Sequence, residues 1–230
     1  MSTLDRQPAE PAERAALVGR FVRLEPLDPA RHAAGLYATG HGSRAAERLW
    51  DYLPYGPFKD PSALRDWLEA QAQSRDPLFY ACISNETDKP LGMLSFLNIV
   101  TAMRTIEIGH IWFGPEAQRN TANTEACHLM ISAAVERWRY RRVEWKCNAQ
   151  NRRSRLAAAR LGFSFEGVFR QHLIVKGVNR DTAWFGLTDQ DWPAVKACHE
   201  AWLYGKGERG SLSAATAPLL KDRIVDRDWS

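Results

Sequence analysis

The stretch QRNTANTEA, residues 118–126, carries side chains suited to holding an anion. It follows the strand-like run TIEIGHIWFG and opens a long, mostly apolar helical run. A helix start gathers unpaired backbone N–H groups and partial positive charge, so it holds a phosphate without any dedicated side chain. Asn and Thr cap helices well, and Asn tolerates left-handed backbone better than most residues. Thr121, Asn123 and Thr124 add hydroxyl and amide donors, and Arg119 adds a charge that suits phosphate. Phosphate loops usually use glycine, and this one has none. An ordinary polar helix cap has the same pattern, so both readings stand at this point. G-x-x-x-x-G-K-[ST] does not occur, and the one G-x-G-x-x-G run, GKGERG at 205–210, follows a helical run rather than a strand, which argues against a nucleotide hydrolase or a dinucleotide enzyme. No His, Cys and Asp spacing suggests a metal site.

The elements around this stretch follow from periodicity. FVRLEPL, LFYACIS, LGMLSFLNIV, RTIEIGHIWFG and RVEWKC read as strands, and FEGVFRQHLIVKGVNRDTAWFGLT reads as a hairpin about a Gly-containing turn. Asp28-Pro29 and Asp60-Pro61 are helix starts, because Asp caps and Pro suits the first helical position. The helix after residue 120 is expected to run to about Tyr140, with a narrow polar stripe of Glu125, His128, Ser132, Glu136 and Arg139. Such a helix is largely buried. The helical run NRRSRLAAARLGF ends at Gly162, and DWPAVKACHEAWLYG forms a last long helix. A helix between HIWF and VEWKC supplies the crossover that a parallel strand pair requires. The expectation is one α/β (α+β) domain with a mixed sheet flanked by helices.

Composition narrows the class. The chain has 230 residues, is 45% hydrophobic, and carries nine Trp, enough for one sizeable core. A formal net charge of +4 allows an anionic ligand without demanding nucleic acid. Cys82, Cys127, Cys147 and Cys198 are far apart, and the first three lie in apolar segments, as expected of buried thiols in a reducing compartment. The polar, acidic N-terminus does not read as a signal peptide, and no apolar run reaches transmembrane length. A cytoplasmic protein without a membrane partner is the expectation.

Three stretches together, EIGHIWFGPEAQRNTANTEA, NAQNRRSRLAAARLGFSFEGVFRQH and TDQDWP, resemble the GNAT superfamily of acyl-CoA-dependent N-acetyltransferases. The branch is similar to the one that includes the ribosomal-protein N-terminal acetyltransferases. The resemblance covers roughly residues 18–204. It implies a flexible arm over 1–17, one acetyltransferase domain over 18–205 and a C-terminal tail over 206–230. It also implies a mostly antiparallel sheet of six to seven strands, splayed into a V between its central parallel strands. The family's loop reads Gln/Arg-x-x-Gly-x-Gly/Ala and binds the pyrophosphate of coenzyme A. Gln118 falls on its first position, Thr121 on the first Gly and Asn123 on the Gly/Ala, with Arg119, Asn120, Ala122 and Thr124 in the same loop. Thr121 adds a Cβ where the family has Gly. The pantetheine arm is expected along Ile111, Trp112 and Phe113, with Asn151 and Ser154 lining the other side.

What the resemblance implies is acetyl transfer from acetyl-CoA to a small-molecule or peptide amine, by direct attack and without a metal. Ser154 is the candidate for protonating the leaving thiolate, or a helix-start residue that caps and packs. Glu107 could deprotonate the amine through a water, or be a structural carboxylate paired with an arginine. Strand alternation puts it on the face of Gly109, Ile111 and Phe113. Glu166 is a weaker alternative base. His110 and His172 sit in strand patterns and read as packed or solvated. Trp50, Tyr55, Tyr80 and Asn98 are candidates for the acceptor wall, and Trp50 and Tyr55 could equally pack the first helices. A succinyl donor, a CoA-binding module with little catalysis, and nucleic-acid binding through RWRYRRVEWK are the competing readings. A homodimer is compatible with the resemblance.

Overall fold

A computed structural model describes residues 7–118 and 120–221. The strands are β1 (Leu17–Val18), β2 (Val22–Pro26), β3 (Leu78–Ser84), β4 (Pro90–Val100), β5 (Thr105–Phe113), β6 (Arg142–Asn148), β7 (Ser164–Val175) and β8 (Val178–Thr188). They form one sheet in the order β1-β2-β3-β4-β5-β6-β8-β7. All neighbours are antiparallel except β5 and β6, which are parallel. Among the described residues the sheet thus has eight strands rather than six or seven. The addition is β1, a two-residue edge strand that pairs Leu17 with Leu24 and Val18 with Arg23. A segment this short has no alternation to read.

Helices cover both faces. α1 (Pro29–Gly40), α2 (Arg44–Glu47) and α3 (Pro61–Ala72) precede β3; α4 (Thr121–Ser132) connects β5 to β6; α5 (Arg152–Arg160) connects β6 to β7; α6 (Trp192–Tyr204) and α7 (Leu212–Thr216) close the described chain. Asp28 caps α1 by accepting from Ala30 N–H at 3.0 Å, and Asp60 caps α3 by accepting from Ala63 N–H at 2.8 Å. Two cores result. Leu78, Tyr80 and Cys82 of β3 point into the larger one, with Cys127 and Met130 of α4 and Ala158 of α5. Phe79, Ala81 and Ile83 point into the smaller one, with Leu36 of α1, Leu64 and Leu68 of α3, and Trp50.

Residues 7–16 carry no strand or helix but lie on this frame. Ala9 is buried, Ala9 N–H donates to Thr101 C=O at 3.0 Å, and the Tyr80 hydroxyl donates to Glu13 C=O at 2.8 Å. At the other end α7 docks through Thr216, whose hydroxyl donates to Arg160 C=O at 3.2 Å. Among the described residues no helix is long and apolar enough to cross a membrane.

α4 is enclosed on nearly every side, and two members of its expected polar stripe lie inside. His128 packs against His199 and Trp192. Glu125 is fully buried and accepts four hydrogen bonds: Arg20 N–H at 2.9 Å, Phe21 N–H at 2.6 Å, Val22 N–H at 2.8 Å and Tyr204 O–H at 2.8 Å. It satisfies the turn between β1 and β2 from inside the core. Gly19 permits the approach, because a Cβ there would lie 2.5 Å from the Glu125 carboxyl carbon. The α-helix ends at Ser132, earlier than Tyr140, and a π-helical turn over Ala133–Arg137 leads to Arg139 at φ +62°.

Replacing Glu125 with Ala strands three backbone donors, that of Val22 buried and those of Arg20 and Phe21 partly buried, at about 1–3 kcal/mol each. The expected loss is about 4 kcal/mol, read as a fall in Tm of roughly 10 °C. A Tm unchanged within 2 °C would show that the turn finds other acceptors.

Candidate active site

The site is built on an interrupted strand pair. β5 and β6 are in register only at Thr105↔Arg142, Ile106↔Val143 and Glu107↔Glu144. Beyond Glu107, β5 continues to Phe113 and β6 to Asn148 without pairing each other. A bulge drives the divergence. Met93 pairs with Trp112 and Ser95 with Gly109, so Leu94 faces an extra residue of β5, and His110 takes up φ +53°. A second bulge puts Asn98 of β4 at φ +48°. Bulges bend strands and re-aim side chains.

The His110 bulge also reverses the alternation of β5. Ile106, Ile108, Ile111 and Phe113 face the larger core, while Trp112 faces the smaller one. Glu107 therefore does not share a face with Ile111 and Phe113, contrary to simple alternation. It lies on the other face with Gly109, His110 and Trp112.

At the end of β5 the chain enters the start of α4. The Gln118 amide donates to Phe113 C=O at 3.0 Å. Asn120 is the N-cap: its Oδ1 accepts from Ala122 N–H at 2.9 Å and its Nδ2 donates to Glu116 C=O at 3.2 Å. Thr121 is the first helical residue and is not among the residues with positive φ, so its Cβ costs no backbone strain. Thr121 and Asn123 are half-buried on the outer side of this turn, and Ala122 is buried. Thr124 is fully buried, and its hydroxyl accepts from the Arg160 guanidinium at 2.9 Å. Its side chain is thus committed to holding α4 against α5. Arg119 lies outside the described residues.

The start of α5 lines the β6 side. Asn151 caps it, with Oδ1 accepting from Ser154 N–H at 3.1 Å. The Trp145 indole N–H donates to Ser154 Oγ at 3.0 Å, which leaves the serine proton for another acceptor. The Cys147 thiol lies beside it, and burial pushes that thiol up to about 11. Trp145 and Cys147 face the larger core, so Ser154 and Glu107 sit on opposite faces of the sheet, flanking the opening.

At the closed end of the opening a charged chain crosses four strands. Asn98 Nδ2 donates to Glu107 Oε2 at 2.6 Å. Lys146 Nζ lies 2.9 Å from Glu107 and 2.8 Å from Glu144. Arg142 pairs with Glu144 at 2.8 Å and with both oxygens of Glu166 at 2.7 and 2.5 Å. Glu166 is thus tied to Arg142. Lys146 also lies 3.9 Å over the Trp184 ring. Burial raises the Glu107 carboxyl above its ordinary range; the Lys146 charge and the Lys146 and Asn98 hydrogen bonds only partly offset it.

The aromatic wall stands on the Glu107 face. Trp50 is buried against Trp112 at 5.2 Å, and its indole N–H donates to Gly40 C=O at 3.0 Å. Tyr55 stacks on Trp67 at 4.2 Å and on His110 at 5.5 Å, and its buried hydroxyl has no partner among the described residues. Burial holds His110 down to about 4, so it is neutral at pH 7. Tyr80 does not belong to this wall. It points to the opposite face, against Phe96, with its hydroxyl taken by Glu13. The β7–β8 hairpin completes the wall, where Lys176 Nζ donates to Trp50 C=O at 2.8 Å. Lys146, Trp145, Lys176 and Arg180 are members that sequence reasoning passed over. Lys146 was accessible to it, since Glu144 and Lys146 alternate with the apolar Val143, Trp145 and Cys147.

Residues 22–164 match the acetyltransferase (GNAT) domain family. The chain belongs to the GNAT family. Among solved relatives of this GNAT chain, a GCN5-related N-acetyltransferase from Brucella melitensis is 39% identical, with a TM-score of 0.87 over 92% of this chain and 98% of that one. A GNAT-family protein of Chromobacterium violaceum, described as a probable acetyltransferase, is 39% identical, with a TM-score of 0.78 over 84% of this chain and 97% of that one. The "Putative ribosomal N-acetyltransferase YdaF" of Bacillus subtilis is 32% identical over 105 residues, 46% of this chain and 57% of that protein. The match with that curated relative thus spans little more than half of its length.

Lys146→Met leaves Glu107 without a cation and facing Glu144, which keeps only Arg142. The expected cost is about 3–5 kcal/mol at pH 8. A carboxyl whose folded pKa lies above its unfolded value contributes stability at low pH and loses it as pH rises through the folded value. The deficit should therefore be smaller at pH 5 than at pH 8, and adding Glu107→Gln should recover part of it. Denaturant titration at the two pH values checks this; an equal deficit at both would mean that neither carboxylate depends on Lys146.

Proposed function

We propose that the protein transfers an acetyl group from acetyl-CoA to a primary amine by direct attack on the thioester. The observation that carries this reading is the opening between β5 and β6, with the start of α4 at one end and Ser154 and Glu107 on its two sides. Beyond Glu107, β5 lacks a strand partner on its β6 side, so its backbone suits an extended amide-bearing arm. The α4 start offers N–H groups and dipole to a pyrophosphate, with Gln118, Asn120, Thr121 and Asn123 around it.

The two faces suit the two ends of the reaction. The leaving sulfur and the attacking nitrogen lie on different sides of the carbonyl carbon. On the α5 side, Ser154 donates its proton to the departing thiolate while the Trp145 N–H fixes the oxygen. On the other side, Glu107 takes the amine proton through a water as the C–N bond forms and the C–S bond breaks. Its raised pKa brings it closer to the pH at which a general base works best. A backbone N–H of the splayed strand stabilises the oxyanion. An α-amine, with a pKa of about 7.7–8.0, needs only modest help from such a base. The Bacillus subtilis relative's name, a ribosomal N-acetyltransferase, supports a protein or peptide amine as acceptor class. No nucleic acid or metal enters the scheme.

The test is CoA release from acetyl-CoA with a panel of peptides, amino acids and polyamines, followed by a thiol reagent. Ser154→Ala should lower kcat about 10- to 100-fold with KM for acetyl-CoA changed less than about threefold. Thr121→Gly should leave CoA affinity within about threefold, because Thr121 already holds helical backbone without strain. CoA binding without turnover on any amine would replace the enzyme reading with that of a binding module.

A further inference from the structure

Arg180 stands on β8, opposite Leu173 in the β7–β8 hairpin. Ala183, Phe185 and Leu187 of the same strand enter the larger core, so Arg180, Thr182 and Trp184 alternate to the acceptor face. The Arg180 side chain is half-buried, and its Nε is enclosed without a hydrogen-bond partner. Its charge acts on His110 and Glu107 of β5 and on Cys147 at the end of β6. The guanidinium therefore lies within electrostatic reach of both sides of the opening.

The neighbouring carboxylates are engaged elsewhere. Glu107 is held by Lys146 at 2.9 Å and by Asn98 at 2.6 Å. Asp181 accepts from Gln171 N–H at 2.7 Å and from Asn179 Nδ2 at 3.0 Å. Glu144 and Glu166 hold Arg142. Of the other cations here, Lys146 has two carboxylates and the Trp184 ring, and Lys176 donates to Trp50 C=O. Among the described residues, Arg180 has no ion-pair partner. Burial disfavours its charged form, and neither Cys147 nor Glu107 fully offsets that. An enclosed cation without a counter-charge bears its desolvation cost until an anion arrives. The planar guanidinium fork matches a carboxylate, which it can bind through two parallel hydrogen bonds.

We propose that Arg180 binds a carboxylate carried by one of the two reactants and so sets the specificity of the enzyme. This rests on the acyl-transfer reading. The carboxylate belongs either to the amine acceptor, as in an amino acid, or to the acyl group, as in a succinyl donor.

The experiment pairs acetyl-CoA and succinyl-CoA with an amino acid and with the corresponding amino-acid amide. The wild type should prefer a carboxylate-bearing reactant over its uncharged counterpart by about 100-fold in kcat/KM, in one arm only. Preference in the acceptor arm assigns the carboxylate to the amine, and preference in the donor arm assigns it to the acyl group. Arg180→Gln should bring that ratio near one. Arg180→Lys should restore only part, since it keeps charge without the fork. Arg170→Gln, at an exposed position of β7, should leave the ratio as it is. A wild-type ratio near one in both arms, or an equal loss on every pair in Arg180→Gln, overturns the inference while leaving acyl transfer standing. With no turnover on any pair the acyl-transfer reading falls. Succinate then decides the matter by thermal shift: stabilisation of the wild type but not of Arg180→Gln upholds a carboxylate site, and stabilisation of neither sinks it.

Discussion

The architecture turns on the parallel pairing of β5 with β6 and on its early end. Three registered pairs hold the strands together, and the last of them sets Glu107 directly beside Glu144. Like charges opposite each other on one sheet face repel. Lys146 sits between the two carboxylates and converts that repulsion into a bridge at 2.9 and 2.8 Å. Immediately afterwards the His110 bulge bends β5 away. The opening that follows is therefore held at its apex by a charge cluster and opened by a backbone irregularity. Either feature alone would leave the strands free to zip further or to separate entirely.

The same cluster fixes the electrostatic character of the Glu107 face. Desolvation pushes Glu107 up, and the cation and amide that contact it pull it down less strongly. A surface ion pair of the same geometry would be worth about 0–1 kcal/mol. Here both partners are largely enclosed, so removing one leaves an uncompensated charge, which is the expensive case. The pair's consequence is a carboxylate of defined position and moderated basicity at the point where the sheet divides. Ser154 lies on the other side, fixed by Trp145 and by the Asn151 cap. Ser154 and Glu107 are kept apart by the sheet itself.

Much of this frame was legible in the residues, for local reasons. Asp28 and Asp60 announce their helices because a cap and a proline act on adjacent backbone. The strand-loop-helix passage from β5 into α4 follows from an apolar strand, polar caps and an apolar helix in succession. What escaped reading depends on distant partners or on broken periodicity. The continuous apolar run of β3 is buried on both faces, so nothing in it says that Phe79 joins the aromatic wall while Tyr80 turns to the other core. The bulge at His110 falls within otherwise regular alternation, and one extra residue sends Ile111 and Phe113 to the face opposite Glu107. Glu125 reads as part of a polar helix stripe, since its acceptor role is defined by backbone N–H groups over a hundred residues earlier in the chain.

The aromatic wall draws on distant parts of the chain. Its aromatic half comes from the segment between α1 and α3, and its basic half from the β7–β8 hairpin. The Lys176 ammonium ties them by donating to Trp50 C=O across 126 residues of sequence. Contacts of such separation cost more loop-closure entropy than local helices and hairpins, a cost that grows only slowly with length. The cleft between β5 and β6 is set by neighbouring strands and the crossover helix. The cleft and the aromatic wall thus differ in how they are held: the first by regular structure of the central sheet, the second by a few long-range contacts over its edge. Side-chain variation is easiest where those contacts lie, because changing a hairpin side chain leaves the β5–β6 apex and the α4 start intact.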